Sequence, residues 1–412
     1  MAIPLTAERA THRGPLLALF GAQAISSTGN ALTGLALPWF VLQTTGSATQ
    51  TGLTAAAGAL PVILGGSLGG VVVDRWGFRR VSIAADLACG VAVALVPTLA
   101  HTVGLPFGAL LGLVFLAALC NTPGATARGS LLPDLIARAG WPRERANATV
   151  QLVTGLIQLL GPPLAGLLVV VLGATTLLWL DAATFAASAA IVAAAVTTPV
   201  AAGALPGRPG GRAGLGAGLA FLRHDRLLLS LILTCTAVQF LVTPLFVVVL
   251  PVQLYRQFGS AVPLGLLLGG AGVGTLLGGA LLSVVAARLP RRRLFVGAFL
   301  VGIGPWWALA GALPLPLLVG AMALLGLAFA PLNLVLITLI QGRVPAALRG
   351  RVLGSLMALS AAAVPLGILV SGYLADVVGV QRLLPGMAGV YTLVALGVAM
   401  NPWFGNMEDG AR

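Results

Sequence analysis

The stretch Gly70-Val71-Val72-Val73-Asp74-Arg75-Trp76-Gly77-Phe78-Arg79-Arg80 closes one long apolar run, residues 48 to 73, and opens another, 81 to 100. A short link holding an acid, three arginines and a glycine between two runs of bilayer-crossing length predicts a tight charged turn at a membrane surface. Its residues have separable roles. Gly70 lets a neighbouring helix approach, Gly77 supplies the turn backbone, and Arg79 and Arg80, with Arg75 beside them, hold the loop at the cytoplasmic face. Asp74 needs a cation or a helix N-terminus as its partner.

The spacing G-x-x-x-D-R-x-G-x-R-R resembles the loop 2-3 signature of the major facilitator superfamily, and all six of its defining positions are met. The resemblance implies an all-α membrane protein of twelve transmembrane helices in two pseudo-symmetric six-helix bundles. A transport path would lie between the bundles, with alternating access by rocking of the halves.

The composition agrees with a membrane protein. Of 412 residues 58% are hydrophobic and 8% charged, and the mean hydropathy is +1.03, which leaves too little polar surface for a soluble globule of this size. The formal charge of +13 comes from arginine clusters between apolar runs with no aromatic stacking platform beside them, so no nucleic acid is expected as a partner. The chain contains no lysine, which excludes a P-loop, nucleotide binding through it, and Schiff-base chemistry. Cys89, Cys120 and Cys235 fall inside apolar runs and are too scattered to ligate a metal. The first 14 residues lead into an apolar run of nearly 30 without a cleavage site, which reads as a first span and not a secretory signal.

Twelve apolar runs are expected near 15-43, 48-73, 80-100, 104-126, 148-172, 175-196, 227-254, 262-286, 293-312, 315-340, 351-376 and 383-404. With both termini cytoplasmic, 21 of the 23 arginines fall on the inner side and only Arg256 and Arg382 outside. The expected domains are an N-terminal bundle (1-196), a cytoplasmic linker (197-226) and a C-terminal bundle (227-412). The linker's Gly/Pro-rich front is flexible, and its end from about Leu219 is expected as a basic helix on the inner surface. The halves repeat. A shift of 213 places Gly65-Gly66, Arg75, Arg79 and Arg80 onto Gly278-Gly279, Arg288, Arg292 and Arg293, and a shift of 212 places Asn121 and Pro133 onto Asn333 and Pro345. Ala287 stands where Asp74 would repeat and Pro290 where Gly77 would, so only the first half keeps the charged turn.

In the fifth span, Gly161-Pro162-Pro163-Leu164-Ala165-Gly166 predicts a kinked helix that a neighbour can slide against. It partly resembles the fifth-span motif of proton-coupled drug exporters, with Ala165 in place of a glycine. The fourth span departs from the better-known drug-exporter pattern, which places an arginine within it. Asn121-Thr122-Pro123-Gly124 leads instead to Arg128-Gly129-Ser130 and Pro133-Asp134-Leu135 beyond the expected span end. With Gln341, Pro345 and Arg349-Gly350-Arg351, this resembles the subgroup of the enterobactin exporter and macrolide-efflux-like proteins.

Polar residues within spans are expensive and point to a cavity. Gln23, Asn30, Asn121, Gln158, Gln239 and Asn333 fall on spans that in this family surround the central cavity, although an interhelical packing bond is an equal reading for each alone. A carboxylate isolated in low dielectric takes up a proton more readily, as a proton carrier requires. Asp181 has the fewest cations near it in sequence and is the preferred carrier; Asp86 is the second candidate, with a structural ion pair to the loop arginines as its alternative.

These readings converge on a secondary transporter in the plasma (inner) membrane, multi-pass and monomeric. It would export a bulky organic compound such as a drug, a macrolide-like product or a siderophore, driven by the proton gradient without a cofactor or metal. The alternatives are an importer or lipid flippase on the same fold, or a non-transporting receptor or assembly subunit. No His cluster or nucleophile-base pair supports an enzyme, since His12, His101 and His224 lie far apart. Asp74 is expected to stabilise the outward-open state by meeting the N-terminal end of the eleventh helix near Arg349-Gly350-Arg351.

Overall fold

Proline and glycine decide where the helices start and stop. Five helices begin directly after a proline (Pro106, Pro142, Pro290, Pro314 and Pro345), a residue that cannot continue a preceding helix and whose missing N–H is no loss at a helix start. Side-chain caps open two more. The Ser47 hydroxyl accepts from Gln50 N–H, and the Asp225 carboxylate accepts from Leu227 and Leu228 N–H.

The computed structural model describes residues 13–196, 223, 225–285, 288–311 and 313–407, excluding the side chains of 62–71, 74, 333, 346, 347 and 406. Its helices are α1 (Gly14–Thr45), α2 (Ala48–Trp76), α3 (Phe78–Thr102), α4 (Phe107–Ala139), α5 (Arg143–Leu172) and α6 (Ala174–Ala195) in the first half. The second half has α7 (Arg226–Phe258), α8 (Val262–Val285), α9 (Arg291–Ala310), α10 (Leu315–Arg343), α11 (Ala346–Val377) and α12 (Val380–Met400), followed by a 3-10 turn, Pro402–Met407. Within α7, five residues after Pro244 (Leu245–Val249) widen into a π-helix, which absorbs the hydrogen bond that the proline removes.

Ten of these helices are long and apolar enough to cross a membrane. Large apolar side chains such as Leu152, Leu167, Val171, Leu233 and Leu393 are left exposed on the outside, as a lipid solvent demands. At the arginine-rich end, Arg145 stacks over Trp141 and Arg226 over Trp403, 4.7 and 4.8 Å from the ring centres.

In the first half α1 packs on α5 and α6, and α3 and α2 pack on α4; in the second, α8 and α9 pack on α10, α7 on α11 and α9 on α12. Two seams join the bundles, α2 against α11 and α5 against α8. A six-helix repeat carries α2 to α8 and α5 to α11, so each seam is the symmetry image of the other.

Both seams are built from bare backbone in the half of the molecule away from the arginine-rich end. A Cβ on Gly52 would sit 3.1 Å from the Ile368 carbonyl, and one on Gly372 3.0 Å from the Ala48 carbonyl. Across the other seam, a Cβ on Gly166 would sit 2.7 Å from the Ala261 carbonyl, and one on Gly265 2.6 Å from the Pro162 carbonyl. Only glycine permits this approach. By contrast, α4 packs within its own bundle and α10 within its own among the described residues. The end of the cleft away from the arginine-rich side is therefore closed.

The fourth helix differs from expectation. It runs to Ala139, about three and a half turns beyond the expected end, and it carries Arg128 inside the bundle, 4% exposed. Pro123 and Pro133 do not end it, because neighbouring helices satisfy the freed backbone groups of a membrane helix. The expected linker, 197-226, lies outside the described residues apart from Arg223 and residues 225–226, and so do the basic helix from Leu219 and the position of Ala287.

Candidate substrate and coupling site

The N-terminal bundle encloses two carboxylates. Asp86 on α3 is 1% exposed and is fully engaged: one oxygen accepts from Arg128 Nη1 at 2.6 Å, the other from the Ser188 hydroxyl at 2.7 Å. Arg128 Nε in turn donates to Gln23 Oε1 at 2.8 Å, and Gln23 Nε2 donates to the Ser27 hydroxyl at 3.2 Å. Gln23 and Ser27 of α1 and one residue each from α3, α4 and α6 thus close a network in which the two buried charges neutralise each other. The expected pairing of Asp86 with loop arginines is corrected. Its partner comes from 42 residues away on α4, since Asp86 points into the bundle while Arg75 and Arg80 are exposed. Gln23 belongs to this network.

Asp181 on α6 is equally buried, 1% exposed, and has hydroxyl partners only. Thr33 on α1 donates to one oxygen at 2.6 Å, while the Thr184 hydroxyl donates to the Asp181 backbone carbonyl at 2.7 Å and lies 3.2 Å from the other carboxylate oxygen. Gly29 on α1 makes the site possible, because a Cβ there would collide with both Asp181 Oδ1 and Thr184 Oγ1. No cation faces this carboxylate among the described residues. Asp181 borders a cavity of about 170 Å³ together with Asn30, Thr33 and Asn121, its remaining wall being apolar. Two of the expected cavity residues, Asn30 and Asn121, are therefore brought to the expected carrier.

Gln158 lines a second cavity, of about 390 Å³, between α1, α5 and α8, where the two bundles face each other. Gln239 is exposed on α7, and the side chain of Asn333 on α10 lies outside the described residues. The fifth-span motif stands in the seam: Gly161 faces Ala31 of α1, while Pro162 and Gly166 meet Gly265 of α8.

In the charged turn, Gly77 has φ +81, a conformation that strains any residue with a Cβ. Arg79 Nη2 donates to the Ala193 carbonyl at 2.6 Å, tying the turn to the last turn of α6. Gly70 and the side chain of Asp74 lie outside the described side chains, so the expected Asp74 latch does too.

A contact of that chemistry exists at the opposite end. Asp376, in the last turn of α11, accepts from Ala48 N–H at 3.0 Å, Thr49 N–H at 2.8 Å and the Ser47 hydroxyl at 2.8 Å, which places an anion on the N-terminus of α2. Arg256 of α7 donates to the same carboxylate at 3.1 Å. No spacing along the sequence pairs Asp376 with Ala48, because the two lie 328 residues apart. The legible half of the signal was Ser47, a helix cap at the start of α2.

The Major Facilitator Superfamily matches residues 19–354. The chain is 34% identical over 378 residues to the "Multidrug efflux pump Tap" of Mycobacterium tuberculosis, covering 90% of each chain. It is 24% identical over 373 residues to "Macrolide efflux protein A" of Streptococcus pyogenes, covering 88% of this chain and 90% of the relative. Among solved structures, the nucleoside transporter NupG superposes with a TM-score of 0.73 at 14% identity, over 93% of this chain and 98% of that one. A bacterial homologue of the human lysosomal transporter Spinster, solved inward-facing and unoccupied, superposes with a TM-score of 0.72 at 15% identity, over 97% and 98%. With its two six-helix bundles, its repeated seams and these matches, the chain belongs to the Major Facilitator Superfamily and is a membrane transporter embedded in the lipid bilayer.

Proposed function

We propose that the protein exports a bulky organic compound, of the drug or macrolide-like class, by alternating access coupled to the proton gradient, with Asp181 as the proton carrier. The single observation that carries the reading is identity of 34% to a multidrug efflux pump across 90% of both chains. The geometry supports it. With the arginine-rich end and both termini assigned to the cytoplasm, the end of the cleft that the two glycine seams shut is the outer one, as in an exporter poised to load from inside. Among the described residues Asp181 is the buried carboxylate at which a proton can be taken up without breaking an ion pair. On this reading the chain acts as a plasma-membrane monomer that performs no covalent chemistry and needs no cofactor. Asp74 and Asp376 latch the two ends in alternation.

Uptake by inverted membrane vesicles under an imposed proton gradient tests the proposal. The expected result is gradient-dependent accumulation of a macrolide or another bulky drug, insensitive to nucleotide and abolished by Asp181→Asn. No gradient-dependent movement across a broad panel of compounds would instead point to a receptor or assembly subunit.

A further inference from the structure

The seam between α5 and α8 is tight over one half of its length and parted over the other. Gly166 faces Gly265, Pro163 faces Gly269, Leu159 faces Gly272 and Gly155 faces Leu276, a regular antiparallel register. Beyond Gly155, toward the arginine-rich end, the contact stops. A Cβ on Gly279 would meet nothing within 4 Å, and the residues that follow on the facing sides, Leu152 and Ala148 of α5 and Ala280 and Ser283 of α8, are all exposed. The two helices therefore border a crevice.

The crevice has a polar and an apolar side. On α5, Thr154 and Gln158 line the cavity between the bundles, whereas Leu152 and Leu156 turn the other way and are 64% and 44% exposed, as a lipid-facing side requires. Leu277, Leu281 and Val284 form the matching apolar lip on α8. Arg145 stands on the lipid-facing side of α5, two turns before Leu152 and about 10 Å from it along the axis. The register carried onward brings Ala146 level with Val285, the last residue of α8, so Arg288 in the turn that follows lies at the depth of Arg145.

These two arginines are exposed, and neither has an ion-pair partner among the described residues, although Glu144 adjoins Arg145 in sequence. Arg145 lies with its guanidinium 4.7 Å over the Trp141 ring, a contact through the face that leaves the N–H edge free. The other seam differs in sequence at this level. The repeat places Asp74 at the corresponding end of α2 and Ala287 at that of α8, so the α5–α8 seam gathers arginines without that acid. Two cations at one depth, above a strip of exposed leucines, match a ligand with an anionic head and an apolar tail. The planar fork of arginine suits a phosphate, which it can hold by two parallel bonds. A soluble acidic partner would use the arginines but leave the leucines beneath them unused.

We propose that an anionic phospholipid of the adjoining leaflet binds at this crevice, with its phosphate between Arg145 and Arg288 and an acyl chain against Leu152 and Ala280. The lipid then supplies to the second seam the anion that the chain itself supplies to the first.

Native mass spectrometry of the purified full-length protein tests this, with phosphatidylglycerol and phosphatidylcholine of identical chains titrated into the detergent solution. Wild type is expected to bind the first phosphatidylglycerol about ten-fold or more tightly than phosphatidylcholine, since each arginine at a membrane surface contributes about five-fold. Arg145→Gln combined with Arg288→Gln is expected to remove the preference. Arg80→Gln combined with Arg223→Gln, which takes the same charge from exposed positions elsewhere, one in each half of the chain, is expected to keep it. Ala148→Phe fills the crevice from an exposed position and leaves both arginines in place. It is expected to weaken phosphatidylglycerol several-fold and keeps the test alive if the double arginine variant does not fold. Equal binding of the two lipids by wild type overturns the inference, as do equal losses in the two double variants, which would mark a diffuse surface charge. Unchanged phosphatidylglycerol binding in Ala148→Phe, or displacement of the lipid by inorganic phosphate, also overturns it, because the arginines would then hold a headgroup or a free ion without the crevice.

Discussion

The two bundles share one topology and differ in what fills them. The N-terminal bundle places Asp86, Arg128 and Asp181 at its centre and ties α1, α3, α4 and α6 with charged and hydroxyl groups. The C-terminal bundle stacks aromatic rings instead: Phe295, Phe299, Trp306, Tyr391 and Phe404 are all fully buried, with ring centres 5.1 to 6.2 Å apart. In lipid there is little hydrophobic drive between helices, so a bundle coheres through close packing or through polar ties. Each half relies on one of these. The aromatic half suits a rigid partner, whereas the polar half contains groups whose charge can change during a transport cycle.

The largest test of that contrast is Arg128→Met. It leaves Asp86 buried without its cation, and removal of one partner from a buried pair destabilises by about 3–5 kcal/mol. Purified protein is expected to unfold at a markedly lower temperature or to fail to accumulate. Pairing it with Asp86→Leu should recover most of the loss, because two apolar groups need no mutual compensation. If Arg128→Met alone unfolds like wild type, the network does not hold the N-terminal bundle.

The contrast also marks how far the sequence could be read. Span number, the alternation of arginines, the Gly77 turn and the fifth-span motif were legible because they are local: a run of about 20 apolar residues, a residue type at a positive φ, a proline beside glycines. Arg128 was misplaced because Gly, Pro and charge are end signals in a soluble helix and are tolerated inside a membrane one. Its pairing with Asp86, the gathering of Asn30 and Asn121 around Asp181, and the reach of Asp376 across the seam depend on which helices become neighbours, and no spacing along the chain encodes that. The aromatic core of the second half was equally invisible, since Phe295, Trp306 and Tyr391 lie on separate segments with no shared motif.

The bundles meet at Asp376, where the C-terminal half supplies the anion and the N-terminal half the helix terminus. Asp376 is exposed and its cation partner Arg256 more so, so the contact falls within the range of about 0.3–1 kcal/mol for exposed charges at helix ends. Asp376→Asn is expected to shift the ensemble several-fold toward a far-end-open state. Distance distributions between spin labels at Gln50 and Tyr373 would show the shift, and an unchanged distribution would mean that the glycine seam alone holds the far end shut. Asp74→Asn is expected to move the same equilibrium in the opposite sense, which makes the two aspartates a matched pair.

The smallest expected effect tests the aromatic half on its own terms. Tyr391 on α12 stacks on Trp306 at 22° and on Phe299 at 15°, and its hydroxyl donates to the Phe299 carbonyl of α9 at 3.3 Å. That bond is long, and its acceptor lies within α9, where a carbonyl has a helical N–H partner. Tyr391→Phe keeps the ring stack and removes one weak tie without stranding a donor, so a loss of no more than about 0.5–1.5 kcal/mol is expected, well below that of Arg128→Met. Gly302 sharpens the point, because a Cβ there would collide with the Tyr391 hydroxyl. Gly302→Ala should therefore destabilise more than Tyr391→Phe, and less when the hydroxyl has already been removed. Thermal unfolding of the single and double variants measures both terms. If Tyr391→Phe proved as damaging as Arg128→Met, the C-terminal bundle too would depend on a polar tie, and the division of labour between the halves would fail.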